Sequence, residues 1–341
     1  MQTCCFSNPH RSSAVQTRKE ENMKVYGKVL GLVVTGVFSV IPFSASAENP
    51  KEIRVDYASY SPTSLVVRKM GWMEEEFKKD NIPVKWVFSP SSSNAIDFLK
   101  KGSIDFGSAA GLSAVMARSN GAPLKAVYVF SKPDWVALTI EKDSTITSVK
   151  DLKGKKIAAT PGTDAYNFFL RTLDMNGMSK ADVTIVNLAH SLGRKALENK
   201  EVDAWMALDP HQAASTIEAG TKVLYRNPDF SSFGFLNANE SFVSKYPDTV
   251  KRVIRVYEKA RTWVIANPEE TAKLMSEEAK ISLPVAKAQL KRNDFSNPTP
   301  GATHIKSLKA GLPVLVQEKL VSSEAVGNKA IDELITSEFM K

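Results

Sequence analysis

Cysteine is almost absent from this chain: its two copies, Cys4 and Cys5, stand side by side at the extreme N-terminus. A disulfide framework, a cysteine-based zinc site and a cysteine nucleophile are thereby excluded from the main body. Histidine is scarce too. Three lie beyond residue 48, His190, His211 and His304, and no pair has metal-ligand spacing on one helix. A G-x-S-x-G elbow, a P-loop and a G-x-G-x-x-G turn are missing, and Lys153-Gly154-Lys155-Lys156 has the wrong order and spacing to cradle phosphate. Carboxylates are plentiful but scattered, so an acid/base pair assembled across the fold stays open at this level. Charge is not one-sided: 45 Lys+Arg stand against 37 Asp+Glu, a net +8, and residues 48–341 hold 40 against 35. The excess is spread over pairs such as Lys78-Lys79 and Lys251-Arg252, which argues against a nucleic-acid partner.

What is present begins with an export signal. From Met23, Lys24 and Lys28 give a positive start, Val29 to Ile41 an apolar core of 13 residues, and Ala45-Ser46-Ala47 the small residues of a cleavage site. The core is shorter than the ~20 residues of a membrane span and ends at Pro42, so residues 23–47 are expected to be a cleaved leader. No cysteine follows the core, which closes the lipoprotein route. Residues 1–22, lacking apolar periodicity, are expected to be an over-long start. At 43% hydrophobic residues in 341, the remainder has the composition of a soluble protein of about two domains.

Beyond residue 48, short apolar runs alternate with helical patterns. Strands are expected at 53–57, 84–88 and 104–107, with helices at 64–79, 95–101 and 112–120 between and after them. After a turn-rich stretch at 141–156 the rhythm restarts: strands at 156–159, 183–187 and 202–207, helices at 164–176, 192–199 and 211–219. Repeated βα units imply a mostly parallel sheet covered by helices. Leu99, Ile104 and Asp105 fall opposite Leu197, Val202 and Asp203 at an offset of 98, suggesting two similar lobes. From about Asn239 the chain is helical, with apolar stripes at Val250, Val253, Ile254, Tyr257, Ala260 and Val264 and again from Ile305 to Val316, a return expected to wrap lobe one.

Small polar residues and glycine cluster just after strands and before helices, at 59–64, 89–94, 108–111 and 160–164. In open α/β sheets ligands sit at such turns, where helix N-termini offer free N–H groups to an anion. Ser, Thr, Asn and Asp are also the preferred N-caps of any helix, so each cluster alone has a second explanation.

Several of these residues carry a family resemblance. Leu152-Lys153-Gly154-Lys155-Lys156-Ile157-Ala158, then Pro161-Gly162-Thr163-Asp164-Ala165-Tyr166, resembles the solute-binding proteins of sulfonate, taurine and nitrate ABC importers. So do Gly102-Ser103-Ile104-Asp105-Phe106-Gly107-Ser108 and Val202-Asp203-Ala204-Trp205 leading into Asp209-Pro210. The likeness covers about residues 52–226. It implies an α/β, two-lobed periplasmic-binding-protein fold of type II, each lobe a mostly parallel sheet flanked by helices. Lobe one would comprise 48–142 and 230–341, lobe two 143–229, with the hinge at 141–144 and 227–230. It further implies a periplasmic monomer that is not an enzyme and takes no cofactor or metal, capturing a small anionic solute, an aliphatic sulfonate first, for an inner-membrane ABC permease and its ATPase. Nitrate, an aromatic sulfonate or a hydroxymethylpyrimidine are alternative solutes. The same fold also serves thiamine-precursor synthesis, but those enzymes carry a cysteine-rich motif that residues 48–341 lack.

The contact turns implied by the resemblance fall on Tyr60, Ser61 and Thr63; on Ser91, Ser92 and Ser93; on Ala110 and Gly111; on Thr163 and Asp164; and on His190 and Asp209. Two departures stand out. Ala110-Gly111 replaces a Gly-Asp pair of aliphatic-sulfonate members, and His190-Ser191-Leu192-Gly193-Arg194 replaces their Pro-Ala-Asp-Ala-Arg, keeping only the arginine. Asp164, if it faces the ligand, would oppose an anion and suit one that also bears an amine; as the first residue of a helix it would favour the dipole in any case. Trp135, Trp205 and Phe233 are candidates for the cleft and equally for the core.

Overall fold

The computed structural model describes residues 48–340, so the expected start segment and leader, residues 1–22 and 23–47, lie outside the described residues. The first half of the chain lays down β1 (Ile53–Tyr57), α1 (Pro62–Met70), α2 (Trp72–Phe77), β2 (Val84–Phe88), α3 (Ser92–Lys100), β3 (Phe106–Ala110), α4 (Gly111–Ser119) and β4 (Leu124–Pro133). Then follow β5 (Val136–Ile140), β6 (Lys156–Ala159), α5 (Asp164–Met175), β7 (Thr184–Asn187), α6 (His190–Glu198), β8 (Ala204–Leu208), α7 (His211–Glu218) and β9 (Lys222–Tyr225). The chain ends with β10 (Gly234–Asn239), α8 (Glu240–Lys245), α9 (Pro247–Ala266), α10 (Pro268–Ala279), α11 (Leu283–Lys291), β11 (Asn293–Asp294), α12 (Ala302–Gln317) and α13 (Glu324–Leu334). Among the described residues no helix is long and apolar enough to cross a membrane.

Two sheets result, ordered β11-β4-β10-β3-β1-β2 and β7-β6-β8-β5-β9. In the first, β1 runs parallel to β2 and β3, while β10 lies antiparallel between β3 and β4. The second repeats the plan: β6 runs parallel to β7 and β8, and β5 lies antiparallel between β8 and β9. Both sheets are thus mixed: most strands run one way, with β10 and the two-residue β11 reversed in the first and β5 reversed in the second. The reversed strands β5 and β10 carry the chain between the sheets. β5 is entered directly from β4, and β10 is reached directly from β9.

The offset of 98 is a structural repeat, since β3 at 106–110 maps onto β8 at 204–208. Each strand is preceded by a left-handed residue, Gly102 at φ 66° and Lys200 at φ 60°. Each is then fastened by an aspartate. Asp105 accepts from the backbone N–H of Arg54 at 2.8 Å, and Asp203 from that of Lys156 at 2.8 Å, while their own N–H groups donate back to the same two residues at 2.7 and 2.9 Å. Leu99 and Leu197 fill the same corner of the two cores and are fully buried. A pair of reciprocal bonds thus registers the third parallel strand of each lobe on the first.

Three expectations change. The single helix expected over 64–79 breaks at Gly71, whose left-handed φ of 64° ends α1 with its N–H on the Arg68 carbonyl at 3.2 Å. The first crossing lies at Pro133–Val136 and not at 141–144, because β5 belongs to the second sheet; the return, between Tyr225 and Gly234, contains the expected 227–230. Last, the C-terminal helices cover more than lobe one. α9 and α10 pack on α1, but α11 packs on α7 and α12 on α5, so the return grips lobe two as well.

Candidate functional site

All the candidate turns lie where the carboxyl ends of the parallel strands meet the starts of helices, and the two lobes face each other across those ends. The lobes are in contact: a Cβ placed on Gly162 of the turn before α5 would stand 3.3 Å from the Ser93 Cβ and 3.8 Å from Met116 Cε of lobe one. Tyr60, Ser61, Thr63, Ser91, Ser92, Thr163, Asp164, His190 and Asp209 are each at most 4% exposed, an unusual fate for polar groups at turns. Ser93 is half-buried.

Their hydrogen bonds separate the caps from the free donors. Ser91 Oγ accepts from the Asn94 N–H at 3.3 Å and caps α3; Thr163 Oγ1 accepts from the Tyr166 N–H at 3.3 Å, donates to the Thr160 carbonyl at 2.6 Å, and caps α5. Ser61 stands at the N-cap of α1 without capping it, and its hydroxyl lies 3.5 Å from that of Thr63. Ser92 accepts from the Ala110 N–H at 3.0 Å, with the Tyr60 hydroxyl beside it. Tyr60 spends its proton on the Ser108 carbonyl at 2.9 Å.

Four of the implied contacts are otherwise employed. Gly111 gives its N–H to the Phe233 carbonyl at 2.9 Å, and a Cβ there would stand 2.7 Å from both Leu308 and Phe235, so this glycine is needed for packing. The Ala110 N–H is taken by Ser92, as above. Asp164 does not present a free carboxylate. It accepts from Trp135 Nε1 at 2.8 Å, from Ser232 Oγ at 2.6 Å and from the Ser232 N–H at 3.0 Å. Burial nevertheless raises its pKa to about 6, against the pull of the Ser232 and Trp135 bonds. Asp209 is likewise engaged. Arg292 clasps it bidentately at 2.8 and 2.6 Å, and the Ala213 N–H adds a third bond at 3.1 Å. Burial raises its pKa and the Arg292 charge opposes the rise.

His190 opens α6, and burial presses its pKa down to about 3, with a smaller push from His211. The neutral ring has Nδ1 3.4 Å from Thr160 Oγ1, and its Nε2 is buried with no partner among the described residues. Another buried atom of this kind belongs to α11: Gln289 donates Nε2 to the Ser59 carbonyl at 2.8 Å and leaves Oε1 unpaired among the described residues. Orphaned buried polar atoms are costly, and each calls for an explanation. Among the described residues no group of His, Cys, Asp and Glu is placed to hold a metal ion.

Sequence reasoning missed Ser232, Gln289 and Arg292, which reach the cleft from the return crossing and from α11; no βα turn marks them. Of the aromatic candidates, Trp205 belongs to the lobe-two core with Ala158, Ala196 and Leu197, and Phe233 meets the His304 ring edge-on, their centroids 4.3 Å apart. Trp135 stands at the first crossing, its ring edge-on to Tyr60 at 5.8 Å.

A family model described as NMT1/THI5 like matches residues 65–271. The chain belongs to that family. It is 27% identical over 85% of its length to a protein of Escherichia coli named as an aliphatic sulfonates-binding protein, covering 89% of it. With a Bacillus subtilis protein of the same name it shares 31% identity, over 72% of this chain and 75% of that one. The solved structure of the alkanesulfonate-binding protein SsuA from Xanthomonas axonopodis pv. citri, bound to MOPS, superposes with a TM-score of 0.76 at 23% identity, covering 83% of this chain and 99% of that one. The fold is therefore the two-lobed periplasmic-binding-protein fold, and these relatives are named as binding proteins, not enzymes.

Proposed function

We propose that the protein is the extracytoplasmic solute-binding component of an ABC importer and that it captures a small organic anion, an aliphatic sulfonate first, by closure of the two lobes. The observation that carries this reading is the set of buried polar groups at the turns where the lobes meet, Ser61, Thr63, Ser92 and His190, of which His190 leaves Nε2 without a partner among the described residues. The names of the relatives support the sulfonate, and the leader expected at 23–47 supports a periplasmic location.

A sulfonate suits these surroundings. It stays anionic at any cellular pH and offers three acceptor oxygens to neutral hydroxyls and to the N–H groups that open α3. Two carboxylates at these turns, Asp164 and Asp209, are each held by three hydrogen bonds from the protein, which reduces the negative charge that an incoming anion would meet. Binding is capture without a covalent step: the ligand favours the closed form by its greater affinity for it.

Calorimetric titration with alkanesulfonates, taurine, nitrate, an aromatic sulfonate and hydroxymethylpyrimidine tests the reading. An alkanesulfonate is expected to bind at about micromolar, roughly −8 kcal/mol, and to be recovered unchanged by mass spectrometry. Ser92→Ala should weaken it tenfold or more, since a hydrogen bond to a charged group is worth about 1.5–3 kcal/mol. Binding only of pyrimidines, or recovery of a chemically altered ligand, would overturn it.

A further inference from the structure

Asp164 holds a place in the fold that its role as a helix-opening residue does not require. Its carboxylate joins the two segments that cross between the lobes. Trp135, in the first crossing, donates its indole N–H at 2.8 Å; Ser232, in the return crossing, donates both its hydroxyl at 2.6 Å and its backbone N–H at 3.0 Å. The same Ser232 hydroxyl oxygen accepts the Leu112 N–H from the first turn of α4 at 3.2 Å. A chain of three groups therefore runs from a lobe-one helix, through the return crossing, to a lobe-two helix.

The neighbouring contacts divide the crossing at this point. Upstream, Arg171 of α5 donates to the Phe230 carbonyl at 3.3 Å and lies 4.1 Å over its ring, so the crossing up to Ser232 rides on lobe two. Downstream, the Phe233 carbonyl is held by the first N–H of α4, so the crossing from Phe233 onward belongs to lobe one. Rotation of one lobe against the other must be taken up where these attachments change hands, between Ser232 and Phe233 and beside Trp135.

We infer that Asp164 is the positioning residue on which closure turns: its carboxylate pins both crossings to the start of α5 and sets the angle at which the lobes meet, without touching the ligand. This rests on the hinge-closure reading above, but it is testable with no ligand present. An asparagine keeps the shape and replaces one acceptor oxygen by a donor, which then faces Trp135 or Ser232 with the wrong polarity.

Spin labels at Lys100→Cys and Lys195→Cys, both exposed and on opposite lobes, in the full chain with Cys4 and Cys5 changed to serine, report the interlobe distance. Asp164→Asn is expected to broaden and shift the ligand-free distance distribution. It should also weaken every ligand that the wild type binds by a similar factor, tenfold or more. With 5-fluorotryptophan incorporated, the Trp135 resonance, assigned through Trp135→Phe, should move in Asp164→Asn and in Ser232→Ala. Should Asp164→Asn fail to fold, Ser232→Ala, which leaves the carboxylate in place, carries the same distance and affinity readouts. A distance distribution unchanged in the variants overturns the proposal, as does an affinity loss confined to ammonium-bearing ligands.

Discussion

Arg292 offers the most searching test of how the return helices act on lobe two. Its guanidinium binds Asp209 at 2.6 and 2.8 Å; the aspartate side chain is 1% exposed and the arginine side chain 23%. Asp209 follows β8 in lobe two, whereas Arg292 follows α11, so the pair ties the C-terminal return to lobe two across the cleft. Removing one partner of a buried pair costs about 3–5 kcal/mol, because a charge is left without compensation. Partial exposure of Arg292 places the cost near the lower end. Arg292→Met should lose about 3 kcal/mol, and because the contact is made across the closed cleft, the loss should fall on closure. At ~1.4 kcal/mol per tenfold, ligand affinity drops about 100-fold.

The pH dependence identifies the cause. Burial already raises the Asp209 pKa and Arg292 opposes that rise, so without the arginine the folded-state value climbs further above the unfolded one. A carboxyl with a raised folded pKa is penalised when ionised and relieved when protonated. Arg292→Met should therefore recover stability and affinity as pH falls from about 7 toward about 5. Asp209→Asn combined with Arg292→Met removes both charges and should bind more tightly than Arg292→Met alone, with no such recovery. Titration calorimetry at several pH values, with urea unfolding in parallel, measures both. A double variant as weak as the single one, or a single variant with no acid recovery, would refute the reasoning.

Other outcomes follow from single contacts. His190 is held neutral with a pKa of about 3, below the ordinary 6.5 that it regains on unfolding, so stability is lost as pH falls below about 6.5. The loss is about 2 kcal/mol by pH ~5, and His190→Gln should flatten that limb of the urea-unfolding profile; an unchanged slope would show the ring to be hydrated. A Cβ on Gly193 would stand 2.6 Å from Trp205 Nε1, so Gly193→Ala should cost about 1–3 kcal/mol in denaturant unfolding and weaken binding by moving the start of α6. Ser91→Ala removes a cap, so its thermal transition should fall by the equivalent of about 1 kcal/mol with affinity nearly unchanged; an affinity loss as large as for Ser92→Ala would return Ser91 to the ligand.

Legibility from sequence followed locality. The βα units could be read because each strand, turn and helix declares itself within a dozen residues, and the 98-residue offset appeared because Leu99, Ile104 and Asp105 meet the same local demands as Leu197, Val202 and Asp203. β5 and β10 were passed over. They are fully or almost fully buried, so they lack the alternation that marks a half-exposed strand, and their reversed direction depends on partners far along the chain. The misplaced first hinge follows from the loss of β5: without that strand, the nearest turn-rich residues, 141–144, looked like the crossing.

The site divides along the same line. Ser61, Thr63 and Ser92 were legible as candidates because they follow strands, yet nothing local separates them from Ser91 and Thr163, which occupy equivalent turns and serve as caps. The distinction is made by where each hydroxyl's neighbours lie: Ser91 and Thr163 meet an N–H three residues on, whereas Ser92 meets Ala110 from another strand and Ser61 does not cap its own helix. The two carboxylates went astray for a related reason. An aspartate in a cleft reads as a ligand contact until its partners are known, and those partners, Ser232 for Asp164 and Arg292 for Asp209, lie 68 and 83 residues further along. Both come from segments that return to the cleft after lobe two is complete. The later chain thus occupies two acidic groups, Asp164 and Asp209, that the earlier chain brings to the turns between the lobes.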